Sequence, residues 1–266
     1  MRRLVKRGLP PLLCYAFITI ITTDAASAQE LHPGIIGEDD RLRVDKGGPP
    51  WDAVGQVNVS AYKSVVRCTG TLVKPNLVLT AAHCVMDPRK KAAYPLGNIH
   101  FVAGVRGEEN KGHSTAKCLR FPKDYENVGF EGMRTTVAEQ EGLLRSVQKD
   151  VVAIVLQEKL TPEPVPMAEG VVPRPGLRLV HAAYPADRRL VLSAHFNCHL
   201  LSVDPTKSLW LNDCDTHPAG SGGPVFTETE GKLKLVAIMI GMGGRISNAA
   251  LPISEWLSLT QSTTCP

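Results

Sequence analysis

The chain has 266 residues and a formal net charge of +4, from 30 Lys and Arg against 26 Asp and Glu. Four of the basic residues and one acidic residue lie in the first 28 positions, so the remaining 238 residues (266 − 28) carry 26 against 25. A nearly neutral chain without a cluster of Lys or Arg argues against nucleic acid as a partner. That length suffices for one large or two small hydrophobic cores.

Residues 1–28 predict a signal peptide. Basic residues open the segment, an apolar stretch follows at 12–21, and Ala26-Ser27-Ala28 forms a small-x-small cleavage site. The apolar stretch is too short to span a bilayer, and no later segment reaches about 18 uncharged apolar residues. We therefore expect an exported protein, secreted or periplasmic, with no contact to a membrane once the signal is removed.

Short β-rich runs separated by turn residues dominate the rest of the chain. This pattern indicates an all-β barrel or sandwich rather than alternating strands and helices. In chain order, the predicted strands are Val54–Val59, Val65–Val73, Leu77–Thr80, Ile99–Val105, Val151–Leu156, Leu177–Ala182, Leu190–Phe196 and Lys234–Ile240.

Three other segments interrupt this pattern. Residues 137–149 have apolar positions at helical spacing in a polar setting, which predicts a helix in a surface insertion. A proline-rich stretch from Thr161 to Gly176 can form neither a central strand nor an unbroken helix, so we place a domain boundary there, between 29–160 and 161–266. Residues 253–260, with Trp256, predict a short C-terminal helix packed on a barrel.

Three residues stand in a pattern typical of nucleophilic catalysis. His83 lies in Thr80-Ala81-Ala82-His83-Cys84, and Ser221 lies in Pro218-Ala219-Gly220-Ser221-Gly222-Gly223-Pro224. Between them, Asp150 opens the apolar run 151–156, where a buried carboxylate needs a hydrogen-bond donor. A serine hydroxyl is a weak nucleophile until an imidazole takes its proton, and a carboxylate orients that imidazole. The order predicts a base, its orienting group and a nucleophile.

The two motifs resemble those of the chymotrypsin-like (trypsin-like) serine peptidases, TAAHC and GDSGGP. The resemblance implies two six-stranded antiparallel β-barrels, with His83 and Asp150 from the first and Ser221 from the second. It also implies peptide-bond hydrolysis through an acyl-enzyme on Ser221, with the amides of Ala219 and Ser221 as the oxyanion hole. Neither a metal nor an organic cofactor is required, and we expect a monomer.

Six cysteines remain after the signal peptide, which removes Cys14. An even number in an oxidising compartment predicts three disulfides, but spacing leaves fifteen pairings open. The resemblance implies Cys68–Cys84, beside the catalytic His; we further expect Cys198–Cys214 to close the hairpin before Ser221, which leaves Cys118–Cys265. A zinc site built on 195–199 is the alternative that disulfide formation disfavours.

Two positions depart from the trypsin pattern. Gly220 replaces the Asp that pairs with the new N-terminal amine after zymogen cleavage, so that activation switch cannot operate here. Ala219 replaces the usual Gly, and its Cβ disfavours the backbone conformation that the oxyanion hole needs.

A similarity to the bacterial glutamyl-endopeptidase-like (V8-like) branch is closer, because 35–41 resembles its mature N-terminus and Cys68–Val73 resembles its first-barrel strand. Residues 29–34 are then a short propeptide or a leader.

Substrate preference is not fixed by these motifs. Asp215 lies where trypsin-like enzymes read Lys or Arg, although a structural role within the hairpin is the favoured alternative. The glutamyl branch reads its substrate with a histidine on the strand after the serine, and residues 237–244 contain none. Thr216 and His217 are further candidates for the pocket, with Met239 and Met242 as an apolar wall.

These features predict an exported serine endopeptidase acting on proteins or peptides. The alternative is a binding protein with a protease fold that is catalytically weak or inactive, which only Ala219 and Gly220 favour.

Overall fold

The computed structural model describes residues 34–61, 64–123, 125, 147–204, 208–242 and 246–266. The predicted signal peptide lies outside these residues, as does the predicted helix at 137–149 up to residue 146, while Val147 and Gln148 are helical. Within the described part of the chain, no helix is long and apolar enough to cross a membrane.

Antiparallel strands make up most of the described chain. In order they are β1 (Arg41–Arg43), β2 (Val54–Ala61), β3 (Ser64–Lys74), β4 (Leu77–Thr80), β5 (Met86–Asp87), β6 (Ala92–Ala93), β7 (Ile99–Ala103), β8 (Gly112–Arg120), β9 (Val152–Leu156), β10 (Arg178–Ala183), β11 (Ser193–Asp204), β12 (Leu209–Asn212), β13 (Pro224–Thr229), β14 (Lys232–Met242) and β15 (Asn248–Pro252). Short 3₁₀ turns cover Trp51–Ala53, Ala82–Cys84, Leu96–Asn98, Ala186–Arg188, Ile253–Glu255 and Leu257–Thr260.

The strands close into two six-stranded barrels, as predicted. The first has the order β2–β3–β4–β9–β8–β7. The second runs β11–β10–β13–β14–β15–β12 and closes by pairing β12 with β11, while β1 adds an outer strand to β11. Strands β5 and β6 form a separate small sheet.

The hydrophobic pattern explains which faces are buried. In β7 the residues Ile99, Phe101 and Ala103 are buried and alternate with half-exposed neighbours, as in a strand with one face on a core. Every residue of β9 is buried, in agreement with its uninterrupted apolar sequence. Tyr184 joins the two barrels, since its N–H donates to Thr69 Oγ1 at 2.9 Å and its hydroxyl donates to the Val105 carbonyl at 3.1 Å.

Each predicted strand is present, β4 with the predicted bounds and the others with shifted ends, and several further strands were not predicted. Strand β11 begins at Ser193 rather than Leu190 and continues to Asp204. Strand β8 was missed because its sequence, GHSTAKCLR, is mostly polar on its outward face, and β13 because it begins at a proline inside the serine motif. Strands β12 and β15 are only four and five residues long.

The predicted C-terminal helix exists as two 3₁₀ turns rather than an α-helix. Trp256 separates them with φ −136° and ψ 0°, outside helical values. Its indole is fully buried, and Nε1–H donates to the Leu251 carbonyl at 3.0 Å. Packing of this side chain on the second barrel therefore takes precedence over a continuous helix.

The three expected disulfides are all present. Cys68 is bonded to Cys84, Cys198 to Cys214, and Cys118 to Cys265. The first links β3 to the turn that carries His83, the second closes the hairpin before the serine loop, and the third fastens the C-terminal residues to β8.

Candidate active site

His83 and Asp150 meet where two neighbouring strands of the first barrel end. Thr80, the last residue of β4, pairs with Val152, the first residue of β9, so the segments that leave these strands lie side by side. The Asp150 side chain is 3% exposed. It accepts hydrogen bonds from the His83 backbone N–H at 2.9 Å and from the His83 ring, with 2.7 Å between Nδ1 and Oδ2. The ring is thereby oriented with Nε2 as the basic nitrogen of its neutral form.

The environment of His83 sets its proton affinity. Burial favours the neutral ring, whereas the negative charge and hydrogen bond of Asp150 favour the protonated ring, and together they raise the pKa of His83 above its usual value. Asp150 therefore both fixes the tautomer of the neutral ring and stabilises its protonated form.

The backbone of Ser221 is fastened against the same region of the first barrel. Its carbonyl oxygen accepts a hydrogen bond from the Thr69 N–H at 2.9 Å and lies 3.9 Å from Sγ of Cys84, the residue after His83. Gly222 permits this approach, because its φ is +83° and an added Cβ would lie 2.1 Å from both the Thr69 carbonyl oxygen and Thr80 Oγ1. The structure thus brings Ser221 to the barrel junction beside the His83 turn.

The loop before Ser221 is a tight turn of defined type. Gly220 N–H donates to the His217 carbonyl at 2.8 Å, Pro218 occupies the second position, and Ala219 has φ +74°. These features identify a type II β-turn, in which proline suits the second position and the third requires positive φ. Glycine is usual at that third position, so the strain expected of Ala219 is present. Thr69 Oγ1 donates to the Ala219 carbonyl at 3.0 Å and helps hold the turn.

Gly220 stands where the trypsin pattern has an aspartate, and its surroundings leave no room for a side chain. A Cβ at this position would lie 2.2 Å from Thr216 Oγ1 and 2.9 Å from the His217 carbonyl oxygen. The Thr216 hydroxyl therefore occupies the space into which a side chain at residue 220 would project.

The Thr216 hydroxyl is itself held by a buried histidine, His181. The Nδ1 atom of this histidine lies 3.0 Å from the Pro224 carbonyl oxygen, which can only accept, so Nδ1 carries the proton. Nε2 then accepts from the Thr216 hydroxyl at 3.1 Å. Burial, aided by the charges of His195 and Arg41, lowers the pKa of His181 to about 4 despite its hydrogen bond to Pro224. The ring is neutral at pH 7, and Thr216 acts as a donor toward it.

The other two pocket candidates from the sequence are also engaged. Asp215 is 1% exposed, and its two carboxylate oxygens accept the backbone N–H groups of Ile36 and Asp40 at 2.8 and 2.9 Å. His217 lies 3.5 Å from a carboxylate oxygen of Asp187. The structure thus brings Asp215, Thr216 and His217 together on one loop, with the polar groups of Asp215 and Thr216 directed into the protein.

Three groups of side chains in the described residues have the spacing of metal ligands. Two of them contain cysteines that are joined in disulfides, Cys68–Cys84 and Cys198–Cys214, so no thiolate is available for zinc. The third consists of Asp40, His195 and Asp215, in which His195 Nδ1 already accepts the Asp215 N–H at 2.9 Å. The zinc alternative at 195–199 therefore lacks its sulfur ligand.

Two residues of the site were not identified from sequence. Thr69 binds the carbonyl oxygens of both Ala219 and Ser221, and His181 positions Thr216. Thr69 lies in Cys68–Val73, the segment that resembles a first-barrel strand of the family, but its partners are 150 positions away or more. His181 has no local signal, because it is a lone histidine in a strand.

Comparison with protein families gives one match over most of the chain. A model of the family described as "Trypsin-like peptidase domain" matches residues 68–238, a span that includes His83, Asp150 and Ser221.

Two curated relatives match parts of the chain. The CLIP domain-containing serine protease B15 of Anopheles gambiae is 35% identical over 91 residues, which cover 34% of this chain and 23% of the relative. The protein named extracellular metalloprotease of Bacillus subtilis (strain 168) is 31% identical over 135 residues, covering 41% of this chain and 42% of the relative. The chain thus matches less than half the length of either relative.

Solved structures share the fold at low sequence identity. A Glu endopeptidase in complex with MPD has a TM-score of 0.65 at 18% identity, covering 85% of this chain and 96% of that one. Protease Anisep from Arthrobacter nicotinovorans has a TM-score of 0.62 at 18% identity, with 84% and 100% covered. The thermostable serine protease AL20 has a TM-score of 0.59 at 20% identity, with 81% and 99% covered.

Proposed function

Because the chain belongs to the trypsin-like peptidase domain family, we propose that it is a serine endopeptidase with Ser221 as nucleophile, His83 as general base and Asp150 as the orienting carboxylate. The observation that carries this proposal is the double hydrogen bond from His83 to the buried Asp150, beside the anchored backbone of Ser221. Proteins or peptides are the substrates.

In the proposed reaction, His83 Nε2 takes the Ser221 hydroxyl proton as Oγ attacks the carbonyl carbon of the scissile bond. His83 then gives this proton to the leaving amine, which departs as Ser221 becomes acylated. A water molecule, deprotonated by His83 in turn, releases the acyl group and restores the serine. Asp150 stays ionised throughout and stabilises the imidazolium in the two attack steps.

The amides of Ala219 and Ser221 are the proposed oxyanion hole. The type II turn at 217–220 supports this role because it fixes the peptide that carries the Ala219 N–H before substrate binds. Donors that are oriented in advance stabilise a developing negative charge without reorganisation. Removal of one such donor costs about 2.7–4 kcal/mol of transition-state stabilisation.

An uncharged substrate residue before the scissile bond is the proposed preference. Both oxygens of Asp215 already accept backbone amides, which disfavours reading of Lys or Arg by this carboxylate. One of the solved structures with this fold is named a Glu endopeptidase. In this chain the Thr216 hydroxyl donates to His181, so it is not available to donate to the carboxylate of a substrate glutamate. Strand β14, which contains most of residues 237–244, supplies Met239 and Met242 rather than a histidine.

Export is part of the same proposal. Three disulfides are typical of proteins that fold in an oxidising compartment, such as the periplasm or the extracellular medium. The protein works as a monomer without a cofactor, and the thiols that a cysteine-bound metal would need are oxidised.

A fluorophosphonate probe tests the proposal against an inactive binding protein with the same fold. The exported protein is expected to label on Ser221, and labelling should be abolished in Ser221→Ala and retained in Ser258→Ala, a control serine in a C-terminal turn. Absence of labelling in the correctly folded wild type would favour the binding protein. A peptide-library digest then separates a peptidase from an esterase, which would label equally, and reports the preferred residue.

A further inference from the structure

The N-terminal segment Gly34–Asp40 is bound to the loop that precedes Ser221. The buried Asp215 carboxylate receives the N–H of Ile36 on Oδ1 and that of Asp40 on Oδ2, at 2.8 and 2.9 Å. A buried carboxylate is costly unless donors compensate it, and these two amides provide that compensation. The Asp215 carboxylate therefore binds the N-terminal segment and is not positioned to bind a cationic substrate side chain.

Gly34, at the other end of the segment, contacts the same loop through its carbonyl group. Its carbonyl oxygen accepts from the Thr216 N–H at 2.9 Å and from Asn248 Nδ2 at 2.8 Å. Asn248 is fully buried, and the same Nδ2 group donates to the Cys214 carbonyl at 2.9 Å. Gly34 has φ +87°, and an added Cβ would lie 2.8 Å from the Thr216 carbonyl oxygen, so this position requires glycine.

An ion-pair network joins the end of the segment to Arg41, the residue that follows it. The nearly buried guanidinium of Arg41 contacts carboxylates of Asp39 and Asp187 at 2.8 and 2.7 Å. Asp187 in turn lies 3.5 Å from His217, within the loop before the serine. The N-terminal residues therefore contact Asp215 and Thr216 directly through hydrogen bonds, and Arg41 is linked to His217 through Asp187.

We propose that Gly34–Asp40, here called the N-terminal clasp, holds residues 214–220 in the shape that catalysis requires, with Asp215 as a positioning residue. This inference rests on the proposed peptidase function and extends it. The loop includes the 217–220 turn and leads directly to Ser221. The Gly34 carbonyl oxygen and the backbone amides of Ile36 and Asp40 provide the hydrogen bonds that order this loop. Cleavage between Gly34 and Ile35 would remove the Gly34 carbonyl and lower activity. In trypsin-type activation, by contrast, the new N-terminal amine raises activity.

Substitutions in the exported full chain test the clasp. Asp215→Asn keeps one acceptor oxygen but places an NH₂ group against the second amide, while Asp213→Asn on the same hairpin changes charge equally without touching the clasp. We expect Asp215→Asn to lower kcat and the rate of fluorophosphonate labelling by about tenfold or more, the scale of a lost hydrogen bond to a charged group. The loss should be equal for peptides with basic, acidic and neutral residues, and Asp213→Asn should stay near wild type.

A second pair keeps the test decisive if Asp215→Asn does not fold. Ile36→Pro and Ile36→Ala both replace the isoleucine side chain with a smaller one, but only proline removes the backbone N–H that donates to Asp215. Ile36→Pro is expected to lose activity relative to Ile36→Ala on every peptide. Equal activity of this pair would overturn the clasp, as would an Asp215→Asn protein that loses only the cleavage of basic peptides. Wild-type labelling and cleavage are measured in parallel, so failure of the peptidase function itself is recognised separately.

Discussion

At the scale of single residues, the proposed chemistry depends on the charge that Asp150 places beside His83. The carboxylate is buried and both of its oxygens are bonded to His83, so its charge is poorly screened by solvent and acts directly on the imidazole. The same charge that orients the ring therefore also determines the pH range in which the ring can act as a base.

This leads to a prediction for the pH profile. His83 must be neutral to accept a proton, and its pKa is raised, so kcat/KM should increase with pH through a pKa above the usual 6.5 of histidine. Asp150→Asn removes the charge, so it should move the rising part of the pH profile to lower pH. It should also reduce kcat by a factor on the order of 10⁴, because the His83 tautomer is no longer held. Rate profiles from pH 5 to 9 provide the measurement, with the exposed Asp45→Asn as control. An unchanged rising part of the profile in Asp150→Asn would assign the orienting role to another carboxylate.

The triad candidates could be predicted from sequence because each is marked by its immediate neighbours. His83 and Ser221 lie in short motifs, and Asp150 precedes an apolar strand. Asp215 was ambiguous, because its partners are amides 175 and 179 positions away that no local pattern reveals. The same reason hides Thr69 and His181, whose contacts exist only after the chain has folded.

At the scale of elements, the 217–220 turn combines a well-suited residue with a strained one. Pro218 fits the second position of a type II turn, whereas Ala219 has a positive φ that costs L-residues about 1–2 kcal/mol. Ala219→Gly should therefore stabilise the protein by about 0.5–1 kcal/mol after the greater entropy of unfolded glycine is subtracted, and retain turnover. Denaturant unfolding measures the change. Ala249→Gly in β15 is the control and should destabilise by about 0.5–1 kcal/mol, since glycine weakens a strand.

If Ala219→Gly proved as destabilising as Ala249→Gly, the left-handed conformation at residue 219 would be wrong. A stabilised variant that lost turnover would instead indicate that the rigidity given by the alanine Cβ is needed for the oxyanion hole.

The contact between the serine loop and the first barrel gives a second prediction at this scale. A Cβ on Gly222 would lie 2.1 Å from two oxygen atoms of the first barrel, and Gly222 also has positive φ. Gly222→Ala should therefore displace the loop, abolish activity and lower stability by about 1–3 kcal/mol, the scale of overpacking in a tightly packed site. Gly241→Ala is the matched control, because nothing lies within 4 Å of its added Cβ. Full activity in Gly222→Ala would contradict the packing described here.

The C-terminal turns and strand β8 are two of the elements that were not predicted correctly from sequence patterns. The predicted C-terminal helix had suitable residues, yet it forms two 3₁₀ turns because the indole of Trp256 is bonded to Leu251 in the barrel. Strand β8 is stabilised by pairing with β7 and β9 rather than by its own apolar alternation. In both segments tertiary contacts override local preference.

At the scale of the whole molecule, the disulfides connect parts that are far apart in sequence. Cys118–Cys265 joins β8 to the C-terminal residues across 147 positions, while the other two close segments of 16 positions at the His83 turn and the serine hairpin. A crosslink that closes a long loop restricts the unfolded chain most in the loop-entropy description.

The exported protein should accordingly contain no free thiol. The six cysteines of the three disulfides are paired, and the seventh, Cys14, lies in the predicted signal peptide. Thiol titration under denaturing, non-reducing conditions should therefore find none. One thiol per chain would indicate that the leader is retained, and two or more would contradict the disulfide pattern.

The measurement that tests the central proposal most directly is digestion of a peptide pool by the exported protein and by its Ser221→Ala variant, with products identified by mass spectrometry. The variant removes one hydroxyl, so its stability should stay within about 1 kcal/mol of wild type. We predict cleavage by the wild type, preferentially after uncharged residues, and none by the variant. Equal cleavage by both proteins would show that Ser221 is not the nucleophile, and the absence of cleavage by a correctly folded wild type would contradict the peptidase function.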